Sequence, residues 1–182
     1  MEVLTQTELN LREQEIVEKI KNGAIFIYPT DTIYGIGCNA LNQEAVQKIR
    51  DIKERPSSPL SIWVPSKEWI KSNCVIPQKS LNMLPGPYTF IVPMKQQIVA
   101  ENVSTDSIGI RIPDHWFNKI VKKVGFPIVT TSANKAGQPF MTCLENLDRE
   151  IQTNVEFMIY EGEKKARPSK IINLTTNKIT ER

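Results

Sequence analysis

The chain of 182 residues carries 23 basic and 20 acidic side chains, a net charge of +3, and 40% hydrophobic residues. This length and apolar content suffice for one core without staples, and the charge admits an anionic ligand or RNA while falling short of a dedicated nucleic-acid binder. Three scattered cysteines and one histidine leave no disulfide framework or zinc site to read, and an acidic N-terminus without a long apolar run speaks against a signal peptide or membrane span, so a reduced, cytosolic protein is expected.

In chain order, Leu11, Ile16, Val17 and Ile20 recur at helical spacing before a glycine stop at Gly23, which predicts a first helix. Ala24 to Tyr28 is a short apolar run ended by Pro29, the pattern of a buried strand. Thr30 to Cys38 reads as a polar loop with two glycines. Asn42 can cap a second helix with an apolar face of Ala45, Val46, Ile49 and Ile52 and with Lys48 and Arg50 opposite, ending near Lys53 because Pro56 disfavours helix at Arg55. Ser61 to Val64 reads as a strand, Trp69, Ile70, Leu81 and Leu84 anchor two short helices, and Pro85-Gly86-Pro87 breaks the chain. Strands follow at Tyr88–Val92 and Ser107–Ile112, then a helix capped by Asp114 and carrying Trp116, Phe117, Ile120 and Val121. Pro127–Thr130, Phe157–Tyr160 and Ile171–Leu174 complete the strands. Without a repeat or linker, the series is expected to form one α/β domain over residues 1–182, its twisted sheet mixing parallel and antiparallel strands.

Two segments suggest chemistry. Lys53-Glu54-Arg55-Pro56 puts two cations on a stiff helix exit, and Thr130-Thr131-Ser132-Ala133-Asn134 puts hydroxyls and an amide at the carboxyl end of an apolar strand, where ligands of open α/β sheets bind. Together they suit a polyphosphate. The alternatives are a solvated pair complementing the helix dipole and a plain turn into Gly137. Arg111 interrupts an apolar strand; if inward, it needs a carboxylate, either a substrate's or the protein's own, and if outward it is solvated. Thr30, Asp31 and Thr32 can bind a ligand or satisfy their own loop. There is no Walker loop, G-x-G-x-x-G or G-x-S-x-G elbow, and a Ser-His-Asp triad could use only His115, which reads better as a helix-terminus or surface residue. Lys119, Lys122, Lys123, Lys164, Lys165 and Arg167 could meet RNA phosphates or be solvated surface.

Read together, Tyr28 to Gly37, Lys53 to Leu60, Pro85 to Thr89, Ile110 to Pro113 and Thr130 to Asn134 resemble, in register, the YrdC-like family of threonylcarbamoyl-AMP synthases. The match runs from about residue 10 to the end, in the short branch without an additional C-terminal domain. The resemblance implies a twisted sheet lining a large positively charged cavity. It also implies a nucleotidyltransferase joining L-threonine, bicarbonate and ATP into threonylcarbamoyl-AMP and pyrophosphate, with Mg2+ accompanying ATP. The product would pass to a transferase complex that modifies tRNA beside the anticodon. By this carry-over Lys53 and Arg55 serve catalysis and hold ATP phosphates, Ser132 and Asn134 complete that site, and Ser107, Ser169 and Arg182 contact the nucleotide. Thr32, Arg111 and Thr130 hold threonine, with Arg111 on its carboxylate. Departures from the pattern are Trp63, where some relatives have a histidine near threonine, Phe140, Lys170 and Asn173. Rival readings are an inactive relative binding RNA or another nucleotide, the carbamoyl-transfer module of a hydrogenase-maturation protein, and a noncatalytic double-stranded RNA binder.

Overall fold

In the computed structural model, which describes residues 1–181, ten strands form one sheet. Their order is β1 (Glu2–Leu4), β8 (Phe157–Ile159), β2 (Phe26–Tyr28), β3 (Gly35–Gly37), β7 (Ile128–Ser132), β4 (Ser61–Trp63), β6 (Ser107–Arg111), β5 (Tyr88–Pro93), β9 (Lys170–Asn173) and β10 (Lys178–Thr180). Parallel pairs (β1 with β8, β8 with β2, β4 with β6, β5 with β9) occur beside antiparallel ones, so the sheet is mixed as expected. Among the described residues seven α-helices flank it: α1 (Gln6–Leu11), α2 (Glu13–Lys21), α3 (Gln43–Ile52), α4 (Lys67–Asn73), α5 (Gln78–Asn82), α6 (Asn118–Val124) and α7 (Arg149–Asn154). None of them is long and apolar enough to cross a membrane.

Strand alternation sorts the side chains into two layers. Ile62, Phe90, Ile110 and Val129 enter the larger core with Val46 and Ile49 of α3, Ile70 of α4 and Ile151 of α7. On the other face, Phe26, Tyr28, Trp63, Ile128 and Phe157 pack with Ile16 and Ile20 of α2, with Ile120 and Val121 of α6 and with Phe117 just before it. The helices cover only part of this second face. Along the rest, Ser61, Thr89, Gly109, Arg111 and Thr130 border a cavity instead of a helix.

Several local expectations change. The first helix is two: Thr5 caps α1 through a capping box with Glu8, and the chain breaks at Arg12, so Leu9 is buried and Leu11 is 82% exposed. Asp114 caps nothing, because α6 starts at Asn118 without a side-chain cap, and the Asp114 N–H donates to Asp31 Oδ2 at 2.9 Å. Arg50 does not lie on a solvated face; it is 5% exposed. Strands β1, β3 and β10 lie where no strand is expected, being three residues each and too short to show a period.

The end of α3 is built as expected up to Lys53. Asn42 accepts from Ala45 N, and Lys53 is the C-cap. Beyond it, Arg55 N donates to Arg50 O and Glu54 N to Asp51 O, the paired closure of a Schellman turn. That turn needs a left-handed residue, usually glycine, and here Glu54 takes it with φ 52°. The reversal at Glu54 carries Lys53 and Arg55 to one cleft.

Candidate active site

A cavity of about 330 Å³ opens on the uncovered sheet face. Its walls include Thr30, Tyr34 and Gly35 on one side, Ser61, Gly109, Arg111 and Thr130 along the floor, and Thr89, Ile91, Ser107, Ser169 and Asn173 on the other side. Gly109 is required by space: a Cβ there would sit 2.4 Å from Ser61 Oγ. Two arginines, Arg55 and Arg111, line it, and among the described residues no carboxylate, histidine or cysteine does. The thiols of Cys38 and Cys74 lie outside it, and burial pushes both up, Cys74 to about 11.

The inner end holds a buried ion pair. Arg111, 7% exposed, donates from Nη2 to Asp31 Oδ1 at 2.9 Å and lies 3.4 Å from Thr32 Oγ1. The arginine is thus inward, with a carboxylate of the protein beside it. Thr30 Oγ1 donates to Ile33 O at 2.7 Å and accepts from Thr32 N, which makes the 30–33 loop rigid. Thr32, 4% exposed, does not itself border the cavity but sits 3.0 Å from Thr30 Oγ1, and Thr30 does. Thr130, 5% exposed on β7, borders it directly.

At the outer end, a more open cleft of about 350 Å³ is lined by Lys53, Glu54, Arg55, Pro56, Ser58, Ser132, Asn134, Ala136 and Gly137. Arg55 and Ser132 border both spaces, so cleft and cavity adjoin there. Lys53 is 2% exposed, and its Nζ donates to Ser132 O at 2.6 Å, Asn134 O at 2.5 Å and Asn134 Oδ1 at 3.4 Å. It therefore clamps the two distant segments to each other. Ser132 Oγ donates to Asn134 Oδ1 at 2.5 Å, and Asn134 Nδ2 to Gln138 O at 2.6 Å. Lys135, which no motif marks, ties Glu54 of the helix exit to Glu150 of α7.

A strap from Tyr160 to Ser169 crosses from β8, near one edge of the sheet, to β9, near the other. Tyr34 pins it, donating from Oη to Gly162 O at 2.6 Å and accepting Glu161 N at 3.0 Å. Glu161 accepts from Trp116 Nε1 at 2.8 Å and meets His115 Nε2 at 3.0 Å, so His115 anchors the strap, is only 9% exposed, and is not a surface group. Burial pushes the Glu161 carboxyl up, but hydrogen bonds from His115, Lys164 and Trp116 outweigh this and hold it at about 2. The strap ends at Ser169, 1% exposed, whose Oγ lies 2.8 Å from Thr89 Oγ1 in the far wall.

The structure thus brings Arg55, Ser107, Arg111, Thr130, Ser132 and Ser169 to one cavity, with Lys53 and Asn134 in the adjoining cleft. Arg182 lies outside the described residues. Of the departures, Trp63 is fully buried among Tyr28 and Phe117, with Nε1 on Asn118 Oδ1 at 2.7 Å. Phe140 and Lys170 border neither space, whereas Asn173 lines the cavity. Asp31, which the sequence offers as either a ligand-binding or a loop residue, is the Arg111 partner, and Tyr34 and Thr89, which lie in segments that carry the family resemblance but take no role from it, join the cavity wall. Only an inward placement of Arg111 points to a nearby carboxylate.

Among the described residues no group of three potential metal ligands exists, and the one carboxylate on the cleft, Glu54, is paired with Lys135.

A "Putative threonylcarbamoyl-AMP synthase" of Methanocaldococcus jannaschii is 39% identical, over 94% of this chain and 87% of that protein. A threonylcarbamoyl-AMP synthase of Vibrio campbellii is 31% identical, over 91% of this chain and 96% of its own length. The crystal structure of P. abyssi Sua5 complexed with L-threonine superimposes with a TM-score of 0.83 at 27% identity, covering 96% of this chain but 54% of that one, so the chain spans about half of Sua5. The family model Sua5_yciO_yrdC, described as telomere recombination, matches residues 18–181. The chain belongs to the Sua5/YciO/YrdC family.

Proposed function

We propose that this protein is a threonylcarbamoyl-AMP synthase of the nucleotidyltransferase class. The observation that carries this reading is the junction at Arg55 and Ser132, where a cavity ending in Arg111 meets a cleft built from Lys53 and Asn134. In this reading the amino acid lies at the inner end, with its carboxylate on Arg111 and its hydroxyl beside Thr130 and Thr30, and Thr32 acts from behind Thr30. The nucleoside lies along Ser107, Ser169 and Asn173, and the triphosphate of Mg·ATP crosses the junction.

The chemistry needs no protein nucleophile. Bicarbonate takes up a proton and dehydrates to carbon dioxide and water, the neutral amine of threonine adds to that carbon dioxide and releases a proton, and an oxygen of the resulting carbamate attacks the α-phosphorus. The new O–P bond forms as the bond to the β-phosphate oxygen breaks, and pyrophosphate leaves with that electron pair. The residues position the reactants and balance charge, and Arg55 meets the charge that builds on the phosphates. The product would pass in the cytosol to a transferase that modifies tRNA. Direct RNA contact finds less support, because Lys123, Lys164 and Lys165 pair with Glu13, Glu161 and Glu163.

Pyrophosphate release from Mg·ATP and bicarbonate, with and without L-threonine, tests the proposal. Threonine-dependent release is expected, and Arg55→Ala should lower it about 10²–10³-fold, the scale of a lost charge-stabilising donor. An unchanged rate in folded Arg55→Ala would refute the assignment.

A further inference from the structure

Arg50 lies one turn before Lys53, and its polar partners are backbone carbonyls. Nε donates to Asn102 O at 2.7 Å, and Nη1 faces Arg55 O at 2.9 Å, Pro56 O at 3.1 Å and Ser58 O at 3.0 Å. Among the described residues no carboxylate pairs with it, although it is 5% exposed. An arginine is costly to bury in this way unless its hydrogen bonds are met, and here three carbonyls of one irregular segment meet them. The same residue's carbonyl accepts the Arg55 N–H at 2.9 Å, so Arg50 grips Arg55 from both sides of its backbone. Residues 55–58 belong to no helix or strand. The grip on Asn102 O, whose own Nδ2 donates to Gln43 O at the start of α3, anchors the segment to both ends of that helix.

We propose that Arg50 is a positioning residue for the triphosphate: its guanidinium shapes the 55–58 segment so that Arg55 stands at the junction of cavity and cleft. ATP affinity thereby depends on a side chain that borders neither space. Burial, and after it the charge of Arg55, presses the Arg50 pKa down, consistent with two cations held close. The inference rests on reading the junction as the ATP phosphate site.

The test compares wild type, Arg50→Met and Arg50→Lys by pyrophosphate release, with amide hydrogen exchange of residues 55–60 measured without nucleotide. Arg50→Met should raise KM for ATP about tenfold or more, leave KM for threonine within about twofold, and speed exchange in the segment. Arg50→Lys, with three donors in place of a planar fork, should fall between Met and wild type. Equal rises in both KM values, or unchanged exchange, would overturn the proposal. If Arg50→Met does not fold, Arg50→Lys decides, and an unchanged KM for ATP there counts against it. If wild type releases no pyrophosphate, the synthase reading fails by itself. Calorimetric ATP affinity and exchange then test Arg50 alone, and values equal to wild type in the lysine variant overturn it.

Discussion

The two ends of the site are built on opposite plans. At the inner end, Arg111, Asp31, Thr30 and Thr32 are bonded to one another inside the sheet and its adjoining loop. At the outer end, Arg55 stands on an irregular segment hung from a helix terminus, and its link to Pro59 O is a long 3.4 Å. The inner end is thus part of the folding unit, whereas the outer end is held by two cations, Arg50 and Lys53, that give their hydrogen bonds to carbonyls. Changes at the inner end should be felt mainly as stability, and those at the outer end mainly as turnover.

The sharpest break would come from Asp31→Ala, which leaves Arg111 buried without its carboxylate. Unfolding in urea should show a loss of about 3–5 kcal/mol. Arg55→Ala, half-exposed and outside regular structure, should by contrast change stability by no more than about 0.5 kcal/mol while turnover collapses. Comparable stability losses in the two variants would erase the distinction.

Gly109→Ala drives a Cβ against Ser61 Oγ in the cavity floor, and a loss of about 1–3 kcal/mol is expected. The contact is with a side chain, so Gly109→Ala combined with Ser61→Gly should recover much of that loss in a double-mutant cycle. No recovery would place the conflict in the backbone instead.

Acid should loosen the strap. The Glu161 carboxyl, ordinarily near 4.5, is held at about 2 in the folded protein, so its contribution is complete above about pH 5 and is lost as pH falls toward 2. The protection factors of amides in residues 160–167, each referred to the intrinsic rate at the same pH, should fall over that window in wild type and already be low at neutral pH in Glu161→Gln. The smallest effect belongs to Glu54→Gly. Relief of the left-handed strain should add about 0.5–1 kcal/mol, since the exposed pair with Lys135 contributes little. A loss of stability would show that the Lys135 bridge outweighs the turn.

Much of this site is legible in the amino-acid sequence. The helix over Gln43–Ile52 announces itself through Asn42, its apolar face and Pro56, and the strands flanking the cavity through short apolar runs, because caps, stops and periods are local signals. The family resemblance then points to six of the residues that line the cavity and to both Lys53 and Asn134. What the sequence hides is relational. Arg50 follows the helical period as a polar-face residue, yet the turn it serves folds back over it. Asp31 becomes the partner of Arg111 across 80 residues of chain, and His115 and Trp116 reach Glu161 across 46 and 45.

From the chain alone follow the type of the longer elements, the mixed α/β class and the polar segments that border the cavity, since each depends on neighbours a few residues away, whereas the three-residue strands β1, β3 and β10 do not. Which cation faces the cavity and which is consumed in building its rim depends on contacts between distant parts of the chain. Lys53, Arg50, Arg55 and Arg111 are chemically alike in the chain, and burial and the supply of distant carbonyls and carboxylates set them apart.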